Sequence, residues 1–155
     1  PPVNIIMHLM PRPPQPAEAV PAKTDTLAYG GYLANAAGCT ECHTKMEKGE
    51  RVGEPYAGGF AFALPGGTLR SPNITPHAAT DIGGWTKEVF GQRFKAYGAG
   101  YAAPAVDMAK GDMQTVMPWT MYAGMHEEDL GAIYDYLKSL PPVENLVERW
   151  TANGR

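Results

Sequence analysis

The sequence predicts a mostly α-helical domain with little β-strand, because three segments carry helical apolar periodicity and the rest does not. These segments lie within residues 25–38, 85–97 and 127–140. Residues 44–84, between the first two, are rich in glycine, proline and polar residues, a composition typical of loops. Strand pairing is expected only in a short hairpin around the Pro-Gly-Gly sequence of residues 65–67.

The first helix is expected to begin after Thr24 or Asp25. Both side chains carry an oxygen that can accept a hydrogen bond from a backbone N–H group of the first turn. Apolar residues such as Leu33 continue to Ala36, and Gly38 is a typical residue for the end of a helix.

The middle helix is predicted to run from Trp85 to Tyr97. Thr86 is the expected N-cap, which places Trp85 and Phe90 at the two positions of a hydrophobic staple. Gly98 ends the helix. The side chains expected on its buried face are Val89, Phe90, Phe94 and Tyr97.

The last helix has the most regular pattern. Its apolar residues recur at i, i+3, i+4, i+7 and i+10, and they are Leu130, Ile133, Tyr134, Leu137 and Leu140. Pro141 and Pro142 end this helix, because proline lacks an N–H group and clashes with the preceding turn. Gly30 and Gly31 in the first helix lack side chains, so they would allow the two terminal helices to approach closely.

The chain divides into an arm, residues 1–24, and a domain, residues 25–155. Fifteen prolines are present, and seven of them lie in the first 21 residues, where no helical or strand period is visible. We expect this arm to be extended, with polyproline II character, and to act in spacing or docking, and the alternative is a disordered leader. Its apolar contact patch would be Val3, Ile5, Ile6, Met7 and Leu9. Since the chain begins at Pro1, the sequence leaves open a signal peptide or a membrane tether upstream.

Composition and charge exclude two classes of function. The net charge of −3 gives no basic surface for nucleic acid. No run of apolar residues approaches the roughly 20 that a membrane-spanning helix needs.

The most informative motif is Cys39-Thr40-Glu41-Cys42-His43, which contains both cysteines of the chain. C-x-x-C-H is the attachment signature of haem c. Two intervening residues allow both thiols to reach the two vinyl groups on one edge of the porphyrin, and the adjacent histidine becomes the proximal iron ligand. The sequence therefore predicts one haem c that is attached through Cys39 and Cys42 and whose iron is bound by His43.

Two other interpretations of the motif are weaker. A thioredoxin-type redox pair would require a βαβ context, which the sequence does not show. A zinc site would require further ligands at suitable spacing, and the remaining histidines, His8, His77 and His126, are scattered.

Met117 is the expected sixth ligand of the iron, because thioether sulfur stabilises ferrous iron and raises the reduction potential. Pro118 favours an extended backbone at Met117, and the last helix begins only about ten residues later. Met113 and Met121 are the main alternatives, and Met108 and Met125 also precede the last helix.

Two regions of the sequence resemble class I cytochromes c, specifically bacterial monohaem cytochromes and the cytochrome c subunits of membrane-bound dehydrogenases. The first is SPNITP at 71–76 followed by DIGGWT at 81–86. The second is MPWTMYAGMHEEDL at 117–130 followed by YDYLKSLPP at 134–142. The resemblance covers about residues 27–145. It implies a class I cytochrome c fold, with three to five helices around one covalently bound haem.

The resemblance also implies further roles. In similar cytochromes, a backbone carbonyl of a proline-containing loop accepts a hydrogen bond from the ligand histidine, and the matching residue here is Pro55. Trp85 and Arg70 are candidates for contact with a haem propionate, through an indole N–H group and a positive charge. A periplasmic location follows from the resemblance, because haem c is attached outside the bacterial inner membrane.

The predicted function is one-electron transfer, as a free carrier or as the cytochrome subunit of a respiratory or dehydrogenase complex. Redox proteins are the expected partners. The alternative is a haem enzyme or sensor, peroxidase-like or gas-binding, with an open sixth position. Met117 and the lack of a positioned acid–base pair argue against this alternative.

Overall fold

The computed structural model describes residues 19–153, so most of the predicted arm and its apolar patch lie outside the described residues. Within residues 19–153, the α-helices are α1 Thr26–Ala36, α2 Cys39–Cys42, α3 Asp81–Gly84, α4 Lys87–Lys95, α5 Trp119–Tyr122 and α6 Glu127–Ser139. The strands are β1 Met46–Glu47, β2 Glu50–Arg51, β3 Ala61–Leu64, β4 Gly67–Arg70 and β5 Trp150–Ala152, and a 3-10 helix covers Met108–Lys110.

The helix count and the strand content both exceed the prediction of three to five helices and little strand. Three of the six described α-helices are single turns of four residues. The predicted hairpin is confirmed, with β3 antiparallel to β4 and Leu64 opposite Gly67. β4 also pairs with β5, which the sequence did not predict because β5 is three residues long and forms only through long-range pairing.

Helices α1 and α6 cross closely and form the frame of the domain. Asp25 is the N-cap of α1, and its side chain accepts a hydrogen bond from the Ala28 backbone nitrogen at 3.2 Å. A Cβ atom added at Gly30 would overlap the carbonyl oxygen of Ala132 on α6. The prediction that Gly30 and Gly31 allow the two terminal helices to approach closely is therefore confirmed.

Helix α4 begins as predicted, since the Thr86 side chain accepts a hydrogen bond from the Val89 backbone nitrogen at 3.3 Å. Phe90 and Phe94 are buried, and Trp85 packs against the same core. Val89 was predicted on the buried face, and that prediction is wrong, because Val89 is 42% exposed.

The core lies between α1, α4 and α6. Its buried members are Ala34, Tyr56, Ile82, Phe90, Phe94, Leu130, Ile133 and Leu137. None of the helices within residues 19–153 is long and apolar enough to cross a membrane. At the end of the predicted arm, Lys23 forms an ion pair of 3.1 Å with Asp129 at the start of α6.

Candidate haem site

A cavity of about 470 Å³ lies between the helical core and β4, a volume in the range of small-molecule and cofactor sites. Its lining is mainly apolar and includes Phe90, Phe94, Leu130 and Leu137. Six of the seven site residues predicted from the sequence line this cavity, and they are Cys39, Cys42, His43, Arg70, Trp85 and Met117. The fold therefore brings together residues that are up to 78 positions apart in the chain.

The attachment motif forms the single turn of α2. Gly38 precedes it with a φ of 67°, a left-handed conformation that permits the sharp change of direction from α1. The His43 backbone nitrogen donates to the Cys39 carbonyl at 2.9 Å, which closes the turn and places both cysteines on the cavity wall. Burial raises the pKa of the Cys39 thiol to about 11, so this thiol is protonated at neutral pH.

The His43 imidazole is buried and has a defined tautomer. Its Nδ1 atom lies 2.8 Å from the carbonyl oxygen of Pro72. A carbonyl can only accept a hydrogen bond, so Nδ1 carries the proton and Nε2 keeps a lone pair for a metal. Burial also lowers the pKa of the imidazole, in spite of the opposing effect of the Pro72 carbonyl, and this favours the neutral form that binds metal.

The acceptor for His43 was predicted to be the Pro55 carbonyl, and that prediction is wrong. Pro55 is exposed and does not line the cavity. The chain after the motif turns at Gly58, which has a φ of 77°, and the 71–73 segment packs directly against that turn. A Cβ atom at Gly58 would lie 2.5 Å from the Asn73 backbone nitrogen, so this glycine permits the Pro72 carbonyl to reach His43.

Behind Pro72, buried polar groups hold the loop in place. Asn73 Oδ1 accepts hydrogen bonds from the Thr75 backbone nitrogen and hydroxyl, both at 2.8 Å. Asn73 Nδ2 donates to the carbonyl oxygens of Val143 at 2.8 Å and Asn145 at 3.2 Å. All side-chain hydrogen-bonding atoms of Asn73 are thus used, and the loop is attached to the C-terminal segment.

Met117 lies on the cavity wall, partly buried, immediately before Pro118 and α5. Met113 and Met125 also line the cavity, although Met113 is 56% exposed. Met121 does not line it and is 75% exposed. Of the five methionines considered, Met113, Met117 and Met125 therefore line the cavity, and Met108 and Met121 do not.

The segment that follows Met117 is held by contacts from two sides. Trp119 stacks on Tyr97 with ring centroids 5.0 Å apart, and the Arg93 guanidinium lies 5.2 Å from the Trp119 ring. Lys95 donates to the carbonyl oxygen of Ala123 at 3.1 Å and also to that of Met125.

Three arginines line the cavity, and the sequence analysis identified only Arg70. Arg70 donates to the Thr151 hydroxyl at 2.8 Å. Arg149 forms an ion pair with Asp81. Arg93 and Arg149 were missed because no local pattern distinguishes a cavity-lining arginine from a surface arginine, and Arg149 reaches the wall only because residues 142–153 fold back.

A zinc site receives no support from the structure. No group of three or more His, Cys, Asp or Glu side chains within residues 19–153 is placed to hold a metal ion. The arrangement instead fits haem c, since it combines an apolar cavity, two thiols from one helical turn and an imidazole with a free Nε2 lone pair.

Comparison with known proteins agrees with this chemistry. A profile of the cytochrome c family matches residues 27–141. The chain is 35% identical over 133 residues to the fructose dehydrogenase cytochrome subunit of Gluconobacter japonicus, an overlap covering 84% of this chain and 25% of that protein. It is 40% identical over 108 residues to the gluconate 2-dehydrogenase cytochrome c subunit of Pantoea cypripedii, covering 69% of this chain and 21% of the relative.

A third relative is the cytochrome c subunit of the alcohol dehydrogenase (quinone) of Gluconobacter oxydans strain 621H. It is 29% identical over 120 residues, covering 77% of this chain and 22% of the relative. The chain therefore spans about a fifth to a quarter of the length of these three proteins. The predicted resemblance to cytochrome c subunits of dehydrogenases is confirmed, and the chain belongs to the cytochrome c family, whose members bind haem c covalently.

Proposed function

We propose that the chain transfers single electrons through one haem c, which would be attached to Cys39 and Cys42 and whose iron His43 and Met117 would bind. The observation that carries this proposal is that the two thiols, the imidazole and the thioether all line one apolar cavity. When bound, the haem would supply the ferric–ferrous couple of its iron.

The residues of the chain set the properties of that couple. The Pro72 carbonyl orients the His43 ring and increases its basicity, as hydrogen-bond partners of metal-bound histidines do. The Met117 thioether stabilises ferrous iron and raises the potential. The apolar wall formed by residues such as Phe94 and Leu130 excludes water.

An electron carrier fits the cavity better than an enzyme with an open iron position. Among the described residues, the only carboxylate that lines the cavity is Asp81, and it is paired with Arg149. The lining contains no histidine besides His43 in the described part of the chain. A peroxidase-like reaction would need a free acid–base pair on the side opposite His43.

The partner is proposed to be a dehydrogenase, since the relatives are named as cytochrome subunits of fructose, gluconate and alcohol dehydrogenases. The chain would accept electrons from the dehydrogenase and pass them to a respiratory acceptor. We place this reaction in the periplasm, with an upstream membrane tether as one arrangement. Trp85 and Arg70 are proposed to bind the haem propionates, because both line the cavity and carry donors.

The test is a spectroelectrochemical titration of the purified haem-loaded protein, followed by exposure of the reduced form to carbon monoxide. We expect a single one-electron transition, one haem per chain and no rapid carbon monoxide binding. Rapid binding by the unmodified protein would show an open iron position and contradict the carrier function.

A further inference from the structure

Residues 142–153 fold back across the domain, and this C-terminal strap lies beyond the part of the chain that the family profile matches. The strap contacts two different parts of the cavity wall. One lies behind His43, and the other is the segment that leads to Met117.

On the His43 side, the strap contacts the loop that holds the Pro72 carbonyl. The Val143 backbone nitrogen donates to the Thr75 hydroxyl at 3.1 Å, and Asn73 donates to two strap carbonyls. The Asn145 side chain donates to the Ala57 carbonyl at 2.8 Å. Because Asn73 and Thr75 are buried, these bonds fix the start of the strap relative to His43.

On the other side, the strap contacts the turn of residues 107–111. The Trp150 indole Nε1 donates to the Gly111 carbonyl at 2.8 Å. A Cβ atom at Gly111 would lie 2.7 Å from the Ala152 Cβ, so the turn and the strap are in direct contact. Gly111 has a φ of 74° and ends the 3-10 helix, which leaves its carbonyl without a helical partner.

The turn leads within a few residues to Met113 and Met117, which line the cavity. Val106 and Met108 lie outside the cavity lining and are 43% and 51% exposed, so burial alone fixes this end of the segment weakly. The Trp150–Gly111 hydrogen bond is therefore one of the specific attachments that hold this turn against the sheet.

From these contacts we infer that the strap is a positioning element, in which Trp150 holds the 107–117 segment and thereby keeps Met117 on the iron. This inference rests on the proposed ligation by Met117. Trp150 acts through the Gly111 carbonyl and does not itself contact the iron site.

The test uses the haem-loaded full chain with Trp150→Phe, which keeps an aromatic ring against Gly67 but removes the N–H donor. The measurements are the far-red methionine-to-iron absorption of the oxidised protein in increasing guanidinium chloride, and the rate of carbon monoxide binding to the reduced protein. Loss of one such hydrogen bond should favour the open segment by roughly threefold to tenfold. We therefore expect carbon monoxide to bind faster by a similar factor, and the far-red absorption to be lost before the far-ultraviolet dichroism.

Tyr134→Phe is the matched control, because it also keeps an aromatic ring and removes one donor to a backbone carbonyl, that of Trp85 at 2.8 Å. Tyr134 lies on α6 and not in the strap or the 107–111 turn, so the carbon monoxide rate should stay at the wild-type value. If Trp150→Phe does not load haem, Ala152→Gly weakens the same contact and should give a smaller change of the same sign.

Equal carbon monoxide rates in wild type, Trp150→Phe and Tyr134→Phe would overturn the inference about the strap. Met117→Ala separates this result from a failure of the proposed ligation. If the far-red absorption survives in Met117→Ala, the ligand assignment is wrong and the strap inference falls with it. If the far-red absorption disappears in Met117→Ala while Trp150→Phe behaves as the wild type, the ligand assignment stands and only the strap inference is wrong.

Discussion

The two walls of the cavity are built differently. The His43 wall is buried and held by specific bonds, including Nδ1 to Pro72 and the hydrogen bonds of Asn73. The Met117 wall contains short helices and turns, with several exposed apolar side chains between residues 106 and 121. His43, one proposed iron ligand, is fixed by a buried polar network, whereas Met117, the other proposed ligand, depends on a few attachments to a looser segment, which should open first.

The largest expected effect is at the attachment turn of the His43 wall. A protein with both Cys39→Ala and Cys42→Ala should retain little or no haem, because no covalent bond remains to hold it. The measurement is haem-specific staining of the denatured polypeptide.

In the wild type, haem should remain on the chain after denaturation, and no free thiol should react with a thiol reagent. Extraction of haem from the intact protein by acidified organic solvent would refute covalent attachment.

The second-largest expected effect concerns the buried hydrogen-bond network behind Pro72. Asn73→Ala should lower the free energy of unfolding by about 3 kcal/mol, because it leaves buried partners such as the Thr75 backbone nitrogen without a hydrogen bond. Guanidinium denaturation followed by circular dichroism measures this loss. Asn35→Ala is the control, since Asn35 is exposed on α1 and its change should stay within about 0.5 kcal/mol. Similar losses in the two variants would mean that the His43 wall is not fixed by this network.

A smaller effect is expected where Lys95 holds the segment after Met117. Lys95→Met removes the donors to the Ala123 and Met125 carbonyls and should cost about 1 kcal/mol. Lys87→Met, on the same helix, removes only an exposed ion pair with Asp135 and should cost less than about 0.5 kcal/mol. The far-red absorption should be lost at lower denaturant in Lys95→Met alone. Equal behaviour of the two lysine variants would remove Lys95 from the supports of the Met117 wall.

The smallest effect is expected from removal of residues 1–24, which should leave both walls intact. Among the described residues of this arm, Lys23 is exposed and contacts the domain through an ion pair with Asp129 and a cation–π contact with the Tyr29 ring. We expect the melting temperature to change by less than roughly 4 °C. A substantially larger decrease would show that the arm is part of the fold.

The features that the sequence predicted correctly are those that depend on residues close together in the chain. Asp25 and Thr86 cap their helices because the required side-chain oxygen lies three residues from its donor. The Cys39, Cys42 and His43 cluster was predicted for the same reason, since one turn of chain brings these residues together.

The features that the sequence could not predict depend on distant parts of the chain. The partner of His43 is Pro72, 29 residues away, and no local signal separates Pro72 from Pro55. Positive φ angles at Gly58 and Gly59 redirect the chain towards the 71–73 loop, but two glycines in a loop sequence do not by themselves predict that direction. Strand β5 was missed because it forms only by pairing with β4.

The most direct test of the central claim is the far-red methionine-to-iron absorption in Met117→Ala, compared with Met113→Ala and Met121→Ala. All three are methionine truncations in the same segment, but Met121 lies outside the cavity lining, and of the three only Met117 precedes a proline, which favours an extended backbone. Only Met117→Ala should abolish the absorption, lower the reduction potential and open the iron to carbon monoxide. Persistence of the absorption in Met117→Ala would contradict the assignment of Met117 as the ligand opposite His43.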